Sequence, residues 1–120
     1  MKYGQIIANT SYTTARMQSK EGKQLLEKGL VEMRANNFLL ARTLMNSALE
    51  HFNHAMEAYE HACDNAPTQK QKGKYKRKAR MLRICDLESA HIALRRMMPL
   101  TEPPIDRDIA YKGLGTSRLI

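Results

Sequence analysis

Tryptophan is absent from this chain, and aromatic residues make up only 6% of it. A core without large aromatic side chains has to be closed by aliphatic and small residues. Eight methionines and frequent alanine suit helices packed at short distance, with methionine filling the gaps. Proline and glycine are sparse through the middle of the chain and gather near its end. No run of five or more residues alternates apolar and polar with β-branched enrichment, so strands are not expected. No apolar run reaches membrane-spanning length, and the start, MKYGQIIANTSY, is too short and too polar for a signal peptide. Asn9-Thr10-Ser11 fits a glycosylation sequon by pattern, which carries little weight without an export signal. Cysteine is limited to Cys63 and Cys85, without metal-type spacing. In a hairpin turning near Pro67 the two would lie about 16 Å apart along the axis. That is beyond disulfide reach, so free thiols and a cytoplasmic, reducing compartment are expected.

Acidic residues are missing from one stretch in particular. None occurs between Asp64 and Asp86, while Lys70, Lys72, Lys74, Lys76, Arg77, Lys78, Arg80 and Arg83 fall there. The formal net charge is +8, and the 12 cations outside the stretch (20 − 8) balance the 12 acids. The chain therefore reads as neutral with one basic block, which points to an anionic partner more directly than a diffuse excess would.

What is abundant is a seven-residue rhythm over residues 38–66. Phe38, Met45, Phe52, Tyr59 and Ala66 form one column, and Ala41, Ala48, Ala55 and Ala62 form a second, three residues on. A third column, Arg42, Leu49, Met56 and Cys63, stands beside them. On a helix, residues three and four apart are neighbours, so the columns share one side. Large residues fill space there and alanines admit a second helix. A period of seven implies a left-handed seam against the partners.

This predicts an all-α fold: an antiparallel three-helix bundle with long second and third helices, an N-terminal arm and an extended C-terminal tail. Residues 1–12 read as the arm, because Gly4, Asn9, Thr10 and Ser11 disfavour helix. The bundle spans 13–98. Its first helix starts at a cap on Thr13 or Thr14 and ends at Ala35, with Gly22 as a weak point and Gly29 permitting close packing. Asn36-Asn37 makes the turn and the N-cap of the second helix, which stops before Pro67. Thr68 caps the third helix, which Pro99 ends; 99–120 is the tail, with Ile105, Ile109, Tyr111, Leu114 and Leu119 as apolar anchors. Within the third helix, Tyr75, Ala79 and Leu82 make one stripe, while Ile84, Leu87, Ala90, Leu94, Met97 and Met98 make another, rotated from it. The two halves cannot pack alike in a regular helix. Either the helix bends near Arg83 or the basic half projects past the core.

Candidate chemistry is thin. Glu50, His54, Glu57, His61 and Asp64 form a stripe at spacings of four and three, which can hold a metal in a bundle. The stripe lies opposite Phe52, Met56 and Tyr59, so a solvated, salt-bridged face is the favoured reading. His51 and His91 read as boundary histidines. No nucleophile motif, phosphate loop or dinucleotide fingerprint occurs. Neither enzymatic activity, a cofactor nor a small-molecule substrate is expected. The basic block, with Tyr75 among its cations, is the candidate anion- or partner-binding site. It can serve an acidic protein segment, an anionic membrane surface, a phosphate backbone with Tyr75 stacking on a base, or solubility alone.

The stretch NNFLLARTLMNSALEHFNHAMEAYEHA resembles the asparagine–aromatic–x–x–alanine start and aromatic/alanine register of MIT domains. Gly29, Phe38, Ala41 and Ala48 are also similar to a tetratricopeptide unit beginning near Gly22, although no second unit follows at its period. The MIT likeness covers about residues 22–97. It implies an interaction module whose helix grooves bind short partner helices or extended peptides. MIT domains present acidic or apolar grooves, whereas this third helix begins strongly basic, so the partner does not carry over. The expected role is therefore a non-catalytic protein-binding or assembly module with an electropositive docking surface. The alternatives are a nucleic-acid-binding protein and a structural subunit of a larger, self-associated assembly.

Overall fold

The structure is a computed structural model and describes residues 2–101. Helix α1 (Lys2–Arg34) and helix α2 (Phe38–Asn65) form an antiparallel hairpin. Helix α3 (Gln69–Met81), a π-helical stretch (Leu82–Leu87) and helix α4 (Glu88–Thr101) follow one another without a break. These last three make one rod, which packs mainly against α2. The described residues are thus all-α, with three packed rods and no strand among them. No helix of these residues is long and apolar enough to cross a membrane.

The α1–α2 contact is the most extensive in the molecule. It is built from two complementary seven-residue columns. On α2, Ala41, Ala48, Ala55 and Ala62 are wholly buried, as are Met45 and Phe52. On α1 the matching column is Ala8, Ala15, Gly22 and Gly29, every member of it buried. A Cβ placed on Gly22 would lie 2.5 Å from Phe52 Cε1, and one placed on Gly29 would lie 2.9 Å from Met45 Cε. The same antiparallel offset sets Ala15 against Tyr59 and Ala8 against Ala66. It sets the α2 alanines against Met33, Leu26, Ser19 and Tyr12. Large residues on each helix therefore meet small ones on the other. Dense contact of this kind maximises dispersion between closely spaced backbones. Burying Met45 or Phe52 in this seam stabilises the fold by about 1.5–3 kcal/mol each.

This packing explains the first departure from expectation. The residues expected as an N-terminal arm are the opening turns of α1. Gly22, expected as a weak point, is the place of closest approach. Ala8 is wholly buried. Tyr12 packs its ring 6.0 Å from that of Tyr59 and 5.2 Å from that of Tyr75. Ser11 Oγ hydrogen-bonds His61 Nδ1 at 2.7 Å. Most helix stability comes from such tertiary burial, which here overrides the poor propensity of Gly4, Asn9, Thr10 and Ser11.

The turns follow the expected chemistry. Asn36 takes a left-handed conformation, φ 66°. Its N–H donates to the Met33 carbonyl at 3.1 Å, and the Asn37 N–H donates to the Glu32 carbonyl at 2.9 Å. This is the hydrogen-bond pair that closes a helix through a left-handed residue, a place asparagine tolerates. Asn37 begins α2 without a side-chain cap; its Nδ2 turns back to Glu32 Oε1 at 2.7 Å. Thr68 does cap α3, its Oγ1 accepting from the Gln71 N–H at 3.2 Å.

The third rod resolves the conflict between its two stripes. Its buried residues include Tyr75, Leu82, Ala90 and Met97. Their spacings are seven, eight and seven. The extra residue falls in Leu82–Leu87, where the helix widens to a π turn. One inserted residue shifts the helical phase enough to bring both halves onto α2. The basic half thus neither projects past the core nor needs a sharp bend. Helix α4 also runs through Pro99 to Thr101. Proline removes one backbone donor and is expected to stop a helix, yet in a last turn that loss is a single bond. The expected helix boundary at Met98 accordingly moves to Thr101, and residues 102–120 of the expected tail lie outside the described residues.

Candidate binding surface

The α3 backbone fans its cations around every side not occupied by α2. Lys70, Lys74, Lys76, Arg77, Lys78, Arg80 and Arg83 are exposed, and Lys72 is half-buried. Tyr75 is not part of that surface. It is 4% exposed and sits with Ala8, Ala62 and Ala66 in a small apolar cluster at this end of the bundle. Its ring packs against that of Tyr12, 5.2 Å away, so Tyr75 lies beneath the exposed cations and enters the lining of the groove described next. Lys74 Nζ instead lies 4.9 Å over the Tyr12 ring, and the Arg16 guanidinium lies 5.8 Å over it. Both cations are attracted to the ring face, which helps fix their positions.

Between α2 and the third rod runs a groove of about 470 Å³. Glu60 and Asp64 form one wall, Lys76, Arg80 and Arg83 the other, and Tyr59, Cys63, Tyr75 and Ala79 line it as well. The Cys63 thiol points its hydrogen at the Lys72 carbonyl, with sulfur and oxygen 3.8 Å apart. Cys63 and Cys85 are both free. Burial raises the Tyr59 hydroxyl pKa; the neighbouring Tyr12 adds to the rise, and Arg16 opposes it. Elsewhere on the same rod, Met81 and Ile84 stand 57% and 58% exposed. The surface thus offers positive charge, negative charge and apolar contact side by side.

Charge counted along the chain does not include α1 in the basic surface. In space, Arg16, Lys20 and Lys23 come alongside Lys78. Their spacing of four and three on one helix was a legible signal of a shared face. Lys23 Nζ also pairs with Asp86 Oδ2 at 3.8 Å. The imidazole–carboxylate stripe of α2 is scattered in role. Glu50, His54, Glu57, His61 and Asp64 are all exposed. His61 bonds Ser11, and Asp64 joins the groove wall. Among the described residues, no group of three or more His, Cys, Asp or Glu side chains is placed to hold a metal ion. His51 Nδ1 meets Gln18 Oε1 at 2.6 Å, across the hairpin.

No family model, curated protein or solved structure matches this chain. The fold defines the class, a helical bundle of three rods, and the surface is the guide to function.

Proposed function

We propose that the protein is a non-catalytic binding module that docks a charged, partly apolar segment of another protein along the groove between α2 and the third rod. The carrying observation is the pairing of unlike walls, Lys76, Arg80 and Arg83 facing Glu60 and Asp64 over a tyrosine–alanine floor. A segment with acidic residues toward α3, a basic residue toward α2 and an aliphatic residue against the Tyr59–Ala79 floor complements all three features. Electrostatic complementarity of this kind sets register and association rate. The likeness to MIT domains supports the same reading, since their helix grooves accept short helices or extended peptides. A phosphate backbone lying in the groove would meet Glu60 and Asp64, which repel it. A second reading, nucleic-acid binding, draws on the outer surface of α3, where Lys70, Lys74, Arg77 and Lys78 are exposed and can contact phosphates without reading sequence.

One titration separates the two. Fluorescence anisotropy would follow labelled Glu/Leu peptides, their Gln/Leu counterparts, and single- and double-stranded nucleic acid across a salt series. The protein-binding reading expects the acidic peptide to bind, and binding to fall in Lys76→Gln/Arg80→Gln/Arg83→Gln. Nucleic acid binding tightly, with a steep salt dependence, while the peptide stays free would replace it with the second reading. Mass in solution distinguishes a monomeric adaptor from a self-associated structural subunit.

A further inference from the structure

The cleft between α1 and α3 is a different kind of place from the groove on the other flank of α3. Arg16, Lys20 and Lys23 line it from α1 and Lys78 from α3, with Ser19 and Tyr59 at its base. Among the described residues lining it, none is acidic. Its volume is about 260 Å³, below the usual range of about 300–1,000 Å³ for drug-sized ligands. Four cations around so small a space repel one another, and among the described residues only Lys23 has a carboxylate partner, in Asp86 at 3.8 Å. Tyr12 ties the helices together here, its ring packed at a tilt against Tyr75 of α3 at 5.2 Å and against Tyr59 of α2 at 6.0 Å, which opposes that repulsion. Arg16 is held over the Tyr12 ring as well. Aromatic packing therefore positions the helices that carry the cluster, and Arg16 within it.

We propose that this cleft binds a compact, multiply charged phosphate anion, with Arg16, Lys20, Lys23 and Lys78 supplying charge-assisted hydrogen bonds and the Ser19 and Tyr59 hydroxyls additional donors. Guanidinium and ammonium donors favour phosphate oxygens over monovalent anions. Because Tyr59 holds its proton more firmly than an exposed tyrosine, its hydroxyl remains a donor throughout the neutral range. The site shares Tyr59 with the α2–α3 groove but none of its cations, and it does not rest on the peptide-docking reading. The phosphate groups can come from a soluble polyphosphate or from the headgroup of a phosphoinositide, and the chemistry of recognition is shared.

The test is calorimetric titration of the full chain with inorganic pyrophosphate, set beside sodium chloride at matched ionic strength, with melting followed in parallel. The expected result is saturable one-to-one binding and a rise in melting temperature that chloride does not reproduce. Lys20→Gln/Lys78→Gln removes one exposed cation from each helix and should weaken binding by at least ~10-fold. Lys76→Gln/Arg83→Gln, on the groove flank, should leave it unchanged. Co-sedimentation with vesicles containing phosphatidylinositol bisphosphate, against phosphatidylserine vesicles of equal charge, assigns the source. Selective sedimentation lost in Lys20→Gln/Lys78→Gln indicates a headgroup; pyrophosphate binding without sedimentation indicates a soluble anion. No saturable binding of pyrophosphate or phosphoinositide vesicles overturns the proposal. Equal loss in both variant pairs also overturns it, since the attraction would then be diffuse.

Discussion

Replacing Gly22 by alanine sets two effects of known sign against each other. Alanine is the better helix former, by about 0.8–1 kcal/mol in a helix interior. At Gly22, however, the new methyl would sit 2.5 Å from Phe52 Cε1 and 2.6 Å from Cδ1, where carbon atoms rest at about 3.5–4.0 Å. The ring is rigid and wholly buried, so relief requires the hairpin to open or the ring to tilt into occupied space. Overpacking of this kind costs about 1–3 kcal/mol, and a rigid ring places it toward the upper end. The net expectation for Gly22→Ala is a loss of about 1–2 kcal/mol. Gly29→Ala differs because the nearest atom is the terminal methyl of Met45, at 2.9 Å, on a flexible side chain. Its clash and its helix gain should roughly cancel. At Gly73 the nearest atom a methyl would meet is Arg77 Nη1 at 3.9 Å, so Gly73→Ala should stabilise by about 0.5–1 kcal/mol. Thermal melts at one pH should therefore rank Gly73→Ala above wild type, Gly29→Ala near it and Gly22→Ala about 4–10 °C below. Phe52→Leu, destabilising alone, should cost less in a Gly22→Ala background; a double-mutant cycle reads that coupling. If Gly22→Ala melts as high as Gly73→Ala, the two helices are not in the close contact described.

Four further outcomes follow from the same geometry. Ala48→Leu and Ala55→Leu should each cost about 1–3 kcal/mol by overpacking the seam, and a neutral result at both in chemical denaturation would place these alanines outside it. Deleting Ile84 should be tolerated, because it reduces the eight-residue step between Leu82 and Ala90 to seven, whereas deleting Lys78 should lower the melting temperature sharply by taking Tyr75 and Leu82 out of register; circular dichroism melts compare the two. Stability should fall with rising pH above about 10: Tyr59 has a raised pKa when folded, so the unfolded chain releases this proton first and alkali favours unfolding. Denaturant midpoints of Tyr59→Phe should show a shallower alkaline decline. Glutamine at Lys74, Lys76, Arg77, Lys78 and Arg80 together should preserve helicity and abolish binding of anions along α3, and loss of helicity would show that the block serves folding.

The large column and the alanine column of α2 were legible because both keep strict sevens on one uninterrupted helix. Thr68 and Pro67 marked their boundary for the same local reason, a cap and a missing donor. The α1 half of the seam was harder to see. Its column, Ala8, Ala15, Gly22 and Gly29, is made of residues that signal little on their own, and two of them weaken a helix in isolation. Only the large residues opposite give those small ones meaning, and the pairing joins residues thirty apart in the chain, Gly22 and Phe52. The conflict between the stripes of the third rod was visible as a phase error, but the sequence did not state its remedy. A π turn is one way to absorb an extra residue, and packing against α2 selected it. The basic block was plain in composition. That Tyr75 turns inward, and that Arg16, Lys20 and Lys23 join the block, are facts of the third dimension.

The extra residue in Leu82–Leu87 also acts like a dislocation in a crystal row, and it separates two compass bearings on the rod. Residues beyond it are turned by about 100° relative to where an unbroken α-helix would carry them. Arg95 and Arg96 therefore do not prolong the rows set out by Arg77, Lys78, Arg80 and Arg83. The positive field of the rod is gathered at the α3 end, beside the start of α1. A long anion laid against the molecule would meet strong attraction over one end and a different azimuth beyond it. Over its described residues the rod is thus polar in the manner of a magnet with a single working pole, and an anion approaching it would be oriented as well as attracted.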